Sequence, residues 1–211
     1  MKKAFFSLVI LCLAILVCAF TSSNIVSFKD PNFNDITYDK ILIVVSINDL
    51  NFKELFESTV QSKLLSNGIN ALTSVKIIPP LRKYSEEEIT DILNKNEIQA
   101  VLIINILNYQ ENEKYIPPIS QTTSGNAYVY GNSINFNSTT STIGGYNLKT
   151  LNVQCHYDFV DVKSGKIAWI AESKTKANGL LFTTEKSITK YISDAVIKKL
   201  IEDQLIVATK K

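Results

Sequence analysis

The sequence predicts one α/β domain, a mixed sheet of about five strands in the order β-α-β-α-β-β-β-α with helices packed on it. Three observations carry that prediction. Between residues 38 and 107, apolar runs of strand length alternate with segments of helical periodicity. Residues 148–162 alternate strictly between apolar and polar, and a glycine turn then leads into a second such stretch. The chain closes on a further helical pattern over residues 184–203.

At the amino end, Lys2 and Lys3 precede an apolar run over residues 8–20, and polar residues 21–24 follow. A basic head, an apolar core and small residues at its end make a secretory signal of residues 1–19, with Val17 and Ala19 placed for cleavage after Ala19. The run is at the short limit for spanning hydrocarbon, so an uncleaved anchor is the alternative. Residues 20–37 read as a polar tether or an edge segment. The folded domain is then expected over 38–205, with 206–211 as a tail.

Within the domain, KILIVVSI (40–47) is a β-branched run suited to a strand covered on both faces. Asn48 or Asn51 is placed to cap the next helix, whose Phe52, Leu55, Phe56, Thr59, Val60 and Leu64 recur at helical spacing before Gly68. Residues 69–78 read as a weaker strand closed by Pro79 and Pro80. Ser85 and Glu88 form a capping box, and Ile89, Ile92 and Leu93 the buried stripe of that helix. Residues 99–107 give a third strand. The stretch 110–145, rich in Ser, Thr, Asn and Gly, reads as a long loop or an extended hairpin insertion turning at Gly131, Asn132 and Ser133. Leu151, Val153, Cys155, Tyr157 and Phe159 line one face of the strand 148–162, and residues 167–175 return as its partner with Trp169 toward the core. The last helix carries Ile188, Tyr191, Ile192, Ala195, Val196 and Leu200 on one face.

Charge and cysteines narrow the chemistry. The chain has 22 basic and 20 acidic residues; removing Lys2 and Lys3 with residues 1–19, which hold no acids, leaves 20 of each. Arg82 is the only arginine, so a nucleic-acid partner has no electrostatic footprint. Of three cysteines, Cys12 and Cys18 lie in the apolar leader, and Cys155 alone cannot form an internal disulfide.

The reactive-looking groups are scaffold on this reading. Ser164-Gly165-Lys166 lacks the first glycine and the metal-binding hydroxyl of a phosphate loop, and a strand follows it, so it reads as a hairpin turn with Gly165 at positive φ. Neighbouring Cys155 and His156 point to opposite faces of a strand and cannot pair. His156 shares a face with Asp158 but has no nucleophile in a strained turn. With one histidine and no calcium-loop spacing, no metal site is expected, and no cofactor, since no glycine-rich turn follows the first strand.

YDFVDV (157–162), KSGK (163–166) and IAW (167–169), with YDKILIV (38–44), SNGI (66–69) and IQAVLI (98–103), resemble a bacterial envelope superfamily. It includes the TolB amino-terminal domain, the curli secretion lipoprotein CsgG and the LpoB-like lipoproteins. The resemblance covers most of residues 38–205. It implies an exported protein, periplasmic or associated with the outer membrane, that acts through protein contacts rather than catalysis. Residues 15–18 also resemble a lipobox, which implies a lipid on Cys18, although Val17 stands where a small residue is usual. Lipidation and simple cleavage both stay open.

The expectation is a non-catalytic envelope module that binds a protein partner through the 110–145 excursion, where Tyr128, Tyr130 and Phe136 could serve as anchors. Its membrane contact would run only through the signal or a lipid. A small-ligand or glycan-binding protein is the alternative, and an envelope hydrolase the third reading.

Overall fold

The computed structural model describes residues 21–117, 120–130, 133–143, 145–179 and 183–209, with 120–143 as backbone. The elements run β1 (Thr21–Lys29), a 3-10 turn (Pro31–Phe33), β2 (Lys40–Ser46), α1 (Leu50–Ser66), β3 (Asn70–Thr73), α2 (Ser74–Ile77), α3 (Glu86–Lys95), β4 (Ala100–Ile116), β5 (Ser120–Tyr130), β6 (Ser133–Ile143), β7 (Tyr146–Asp161), β8 (Ile167–Asn178) and α4 (Glu185–Glu202). Six strands form one mixed sheet in the order β1-β8-β7-β4-β2-β3, and β5 and β6 pair separately. The fold is α/β, with helices packed on the sheet, and its strand count is one above the expected five.

β2 is parallel to both β3 and β4, while β4, β7, β8 and β1 join antiparallel. The chain passes from β2 to β3 and then back across β2 to β4, so right-handed crossovers place α1 and α3 on opposite faces. This is why β2 is apolar throughout: Ile41, Ile43 and Val45 are buried under α1, and Leu42 is buried on the other side. Phe56, Val60 and Leu64 of α1 and Ile188, Ile192, Val196 and Leu200 of α4 complete the core against Leu102, Ile104, Val153, Tyr157 and Trp169.

Several local expectations are corrected. Asp49, not Asn48 or Asn51, caps α1, accepting from the amides of Asn51 at 2.9 Å and Phe52 at 3.0 Å. The strand expected over 69–78 stops at Thr73 and turns into α2. The cause is Glu57, fully buried on α1: its carboxylate accepts from Val45 N (3.1 Å), Ser74 Oγ (2.5 Å) and Val75 N (3.1 Å). Glu57 thus takes the Val45 amide that a longer β3 would have bonded, and holds the start of α2, which has no side-chain cap of its own. The capping box at Ser85 and Glu88 is present, with Arg82 making two further bonds to Glu88, of 2.8 and 3.0 Å. Ile89, Ile92 and Leu93 are only half-buried, because α3 covers its face of the sheet loosely. On α4, Tyr191 and Ala195 are half-buried while Ser193 and Ile197 are buried, so the buried stripe is rotated from the expected one.

The segments flanking the expected domain also join the fold. Residues 20–37, expected as a polar tether or an edge segment, supply an edge strand: β1 pairs with β8 along its length from Thr21↔Ala177 to Lys29↔Trp169. In the expected tail, Ile206 is buried and the Thr209 amide bonds the Asn67 carbonyl at 3.0 Å. Thr209 also lies where a side chain on Gly68 would stand, and Gly68 has φ +83°, so this helix stop requires glycine twice over.

Candidate functional site

Residues 110–145 form an arm, the extended-hairpin form of the insertion. β4 and β7 stay paired beyond the helix-covered sheet, from Gln110↔Asn152 to Ile116↔Tyr146. β5 and β6 pair with each other as a separate two-stranded ribbon, from Ser120↔Ile143 to Tyr130↔Ser133. At the root, Lys149 pairs with Glu111 and lies 3.9 Å from Glu113. Beyond it the charges stop: residues 115–148 contain no Asp, Glu, Lys, Arg or His. Tyr115 and Tyr146 stand at this boundary, 62% and 54% exposed. In register, Ala127 is opposite Phe136 and Val129 opposite Ile134, while Tyr128 and Tyr130 occupy the alternate positions. The side chains of Tyr128, Tyr130 and Phe136, and all of Cys18 and the leader, lie outside the described residues.

The reactive groups occupy other parts of the sheet. His156 lies on the face away from α1 and α4, its Nε2 3.2 Å from Asp158 Oδ1 and its Nδ1 3.8 Å from Glu172 Oε1. Asn105 Nδ2 donates to the second Asp158 oxygen at 3.2 Å. The ladder neighbours of His156 are Asn105 and Glu172, neither of them a nucleophile for acyl transfer. Cys155 points the other way and is buried, and burial pushes its thiol up to about 11, against smaller opposing effects from Tyr157 and Ser173. A thiol so placed is protonated and shielded at neutral pH.

The Ser164-Gly165-Lys166 segment is a turn, with Gly165 at φ +67°. The Asp161 carboxylate fills its mouth, accepting from Ser164 N at 2.7 Å and Ser164 Oγ at 2.6 Å. A phosphate would meet an acid there. Trp169 is buried as expected, but Ile167 is 49% exposed. A bulge sets Val160↔Ile167 beside Phe159↔Trp169, so Ala168 has no partner on β7 and Ile167 turns to the outer face.

A cleft of 640 Å³ opens at the carboxyl end of β2 and against the middle of β4, lined by Ser46, Ile47, Lys53, Ile106 and Tyr109 among others, with a smaller one of 240 Å³ beside Asp49, Phe52 and Glu185. Open α/β sheets bind ligands at such ends. Here the polar groups are largely committed: Asp49 caps α1 and Lys53 Nζ lies 3.9 Å from Glu57. Neither cleft includes His156. Among the described residues, no group of three or more His, Cys, Asp or Glu could hold a metal ion.

Sequence reasoning passed over Glu57, Tyr115 and Tyr146. For the tyrosines, the uncharged interval that they bound was the signal available.

No family model matches the chain. No curated protein matches it. Among solved structures, a PelC dodecamer from Paraburkholderia phytofirmans is similar at 12% identity and a TM-score of 0.48, over 88% of this chain and 99% of that one. Lipoprotein GNA1162 from Neisseria meningitidis is similar at 14% identity and 0.40, over 77% and 98%. A minor lipoprotein from Acinetobacter baumannii is similar at 9% and 0.37, over 81% and 98%. These likenesses are too loose to carry chemistry or partners across.

Proposed function

We propose that this chain is an exported, non-catalytic protein of the bacterial cell envelope that assembles with a protein partner through its arm. The observation that carries the reading is the arm: paired strands that project past the core and then run for 34 residues without a charge (115–148). An uncharged, aromatic-bearing surface fits burial against another molecule, since desolvating it strands no charge. The basic head and apolar run of residues 1–19 support export, to the periplasm or to an outer-membrane-associated site, with a lipid on Cys18 and cleavage after Ala19 as the two routes. The committed Asp49, the shielded Cys155 and the nucleophile-free neighbourhood of His156 favour contact over chemistry.

Deleting residues 120–144 tests this. The deletion leaves the six-stranded sheet and its helices, so far-UV circular dichroism and the urea midpoint should stay close to those of the parent. A partner recovered from envelope fractions with the parent should be lost from the deletion variant. Unchanged recovery would refute the assignment.

A further inference from the structure

We propose that two copies of this chain pair through β1, edge to edge and antiparallel about a two-fold axis at Val26, so that their sheets join. This contact is separate from the arm's and uses neither the arm nor the leader.

The edge itself suggests the pairing. β1 ends the six-stranded sheet, so among the described residues one of its edges has no neighbour. The Asp30 amide bonds the Ala168 carbonyl at 3.0 Å, and the register carries that alternation up the strand. Ser22, Asn24, Val26 and Phe28 therefore bond β8, while Ser23, Ile25, Ser27 and Lys29 turn their amides and carbonyls to the open edge. Sheets guard such edges with charge, proline, bulges or brevity. Where β4 runs on past β2, its edge carries Glu111, Glu113 and Lys114. β3, at the other end of the sheet, is four residues long. β1 is nine residues long and pairs without a register shift, and from Thr21 to Phe28 it holds no charge and no proline. On the face away from α4, Val26 (56% exposed) and Phe28 (69%) extend this edge into an apolar patch with Ile167 and Ile170.

A second copy fits that edge. With the two-fold at Val26, Ser23 lies opposite Lys29 of the second copy and Ile25 opposite its Ser27, each pair exchanging two main-chain bonds. Val26 meets its own counterpart, and Phe28 stands diagonal to it, so the exposed apolar side chains of both copies gather on one face. Lys29 is the one charge in the strand, and its ammonium turns inward to the carbonyls of Asp203 (2.9 Å) and Gln204 (3.1 Å). Next to Val26 in its row is Glu172 of β8. The two copies of Glu172 stand three strand spacings apart, about 14 Å, which exceeds the screening length at physiological salt. A foreign strand would have to match this edge in length, register and lack of charge, whereas a second copy does so by symmetry.

Sedimentation equilibrium of the full chain, expressed with export and held in nonionic detergent, tests the pairing over a concentration series. The parent should reach twice the chain mass. Val26 lies outside the core, and Val26→Lys sets two ammonium groups against each other at the two-fold. The dimer Kd should rise at least about tenfold while the thermal midpoint is kept. Cysteine pairing gives a second reading if Val26→Lys fails to fold. Val26→Cys should join two chains by a disulfide under copper-phenanthroline in air, because such a strand pair sets its Cα atoms about 4.5 Å apart. Lys174→Cys, exposed on the same face, and the parent, whose Cys155 is buried, should not. A parent that stays monomeric through the series, a dimer that survives Val26→Lys, or no excess of disulfide for Val26→Cys overturns the pairing. Deleting residues 120–144 should leave the dimer intact, so the loss of a partner from the arm and the loss of the dimer are read separately.

Discussion

Replacing Glu57 with alanine takes one carboxylate away from three donors at once. The Val45 amide (3.1 Å) sits in the buried sheet, the Val75 amide (3.1 Å) begins α2, and Ser74 Oγ (2.5 Å) lies between them. The Ser74 hydroxyl can rotate to another acceptor, but the two amides are fixed by the backbone. A stranded buried donor costs about 1–3 kcal/mol. Val45 belongs near the top of that range; Val75 is part-buried beside a cleft of 70 Å³ and belongs near the bottom. The expected loss is about 3–4 kcal/mol, a large part of a typical domain's stability. In urea unfolding this lowers the midpoint by about 1–2 M with an unchanged slope. Glu57→Gln keeps one acceptor oxygen and most of the volume, so it should lose less, about 1–2 kcal/mol. An alanine variant within about 0.5 kcal/mol of the parent would refute the idea that this carboxylate ends β3 and starts α2.

Three further outcomes follow from other groups. Burial alone would raise the Asp203 pKa, but bonds from Ser27 (2.5 Å), Trp169 Nε1 (2.7 Å) and Lys199 hold it below its ordinary 3.8. Its stabilisation is therefore complete above that value and fades as pH falls through the depressed one, so Asp203→Asn should flatten the fall in Tm between about pH 5 and pH 2. Glu88, lowered to about 2 chiefly by its bond from Arg82, titrates in the same window, so the parent–variant difference is the quantity to read. Tyr38 is buried and its hydroxyl makes no hydrogen bond of good geometry among the described residues, while burial first, then the charge of Asp161 and a loose side-chain bond to it, raise its pKa. Tyr38→Phe should leave thermal stability equal or raise it, by up to about 1 kcal/mol; a loss above about 2 kcal/mol would show a missed partner. In the folded protein Cys155 should resist a thiol reagent at pH 8 and react once urea unfolds the chain, whereas fast native labelling would contradict its burial.

The readable parts of the fold were those where hydrophobic contrast is strong. KILIVVS is apolar on both faces because helices cover both, and strict alternation in β7 reported a single buried face. β1 was obscure because two of its inward positions are polar, Ser23 bonding Thr175 at 2.8 Å and Ser27 bonding Asp203, and only Ile25 between them packs on the core, so little hydrophobic period marks the strand. Glu57 looks like any solvent-facing acid on a helix until the turn at Thr73 brings two amides to it. Strand alternation alone would put Ile167 on the inward side with Trp169; the bulge that turns it outward has no sequence period. The strand pairing of β5 with β6 was legible in the sequence, yet polar alternation without hydrophobic contrast could not show that β4 and β7 stay paired beyond the helix-covered sheet as far as Ile116 and Tyr146.

The pairing of β1 with β8 has a kinetic consequence. Ser23 and Thr175 are 152 residues apart in the chain, so the strand synthesised first waits for a partner made almost last. Such distant closure is slow, because loop entropy is lost before any contact rewards it. Until β8 and α4 are complete, the sheet lacks its edge strand and Trp169 lacks the Asp203 carboxylate. Under the export proposed above, such a delay would keep the chain extended while it is threaded across a membrane. The fold cannot close prematurely, since its last stitch joins the two ends.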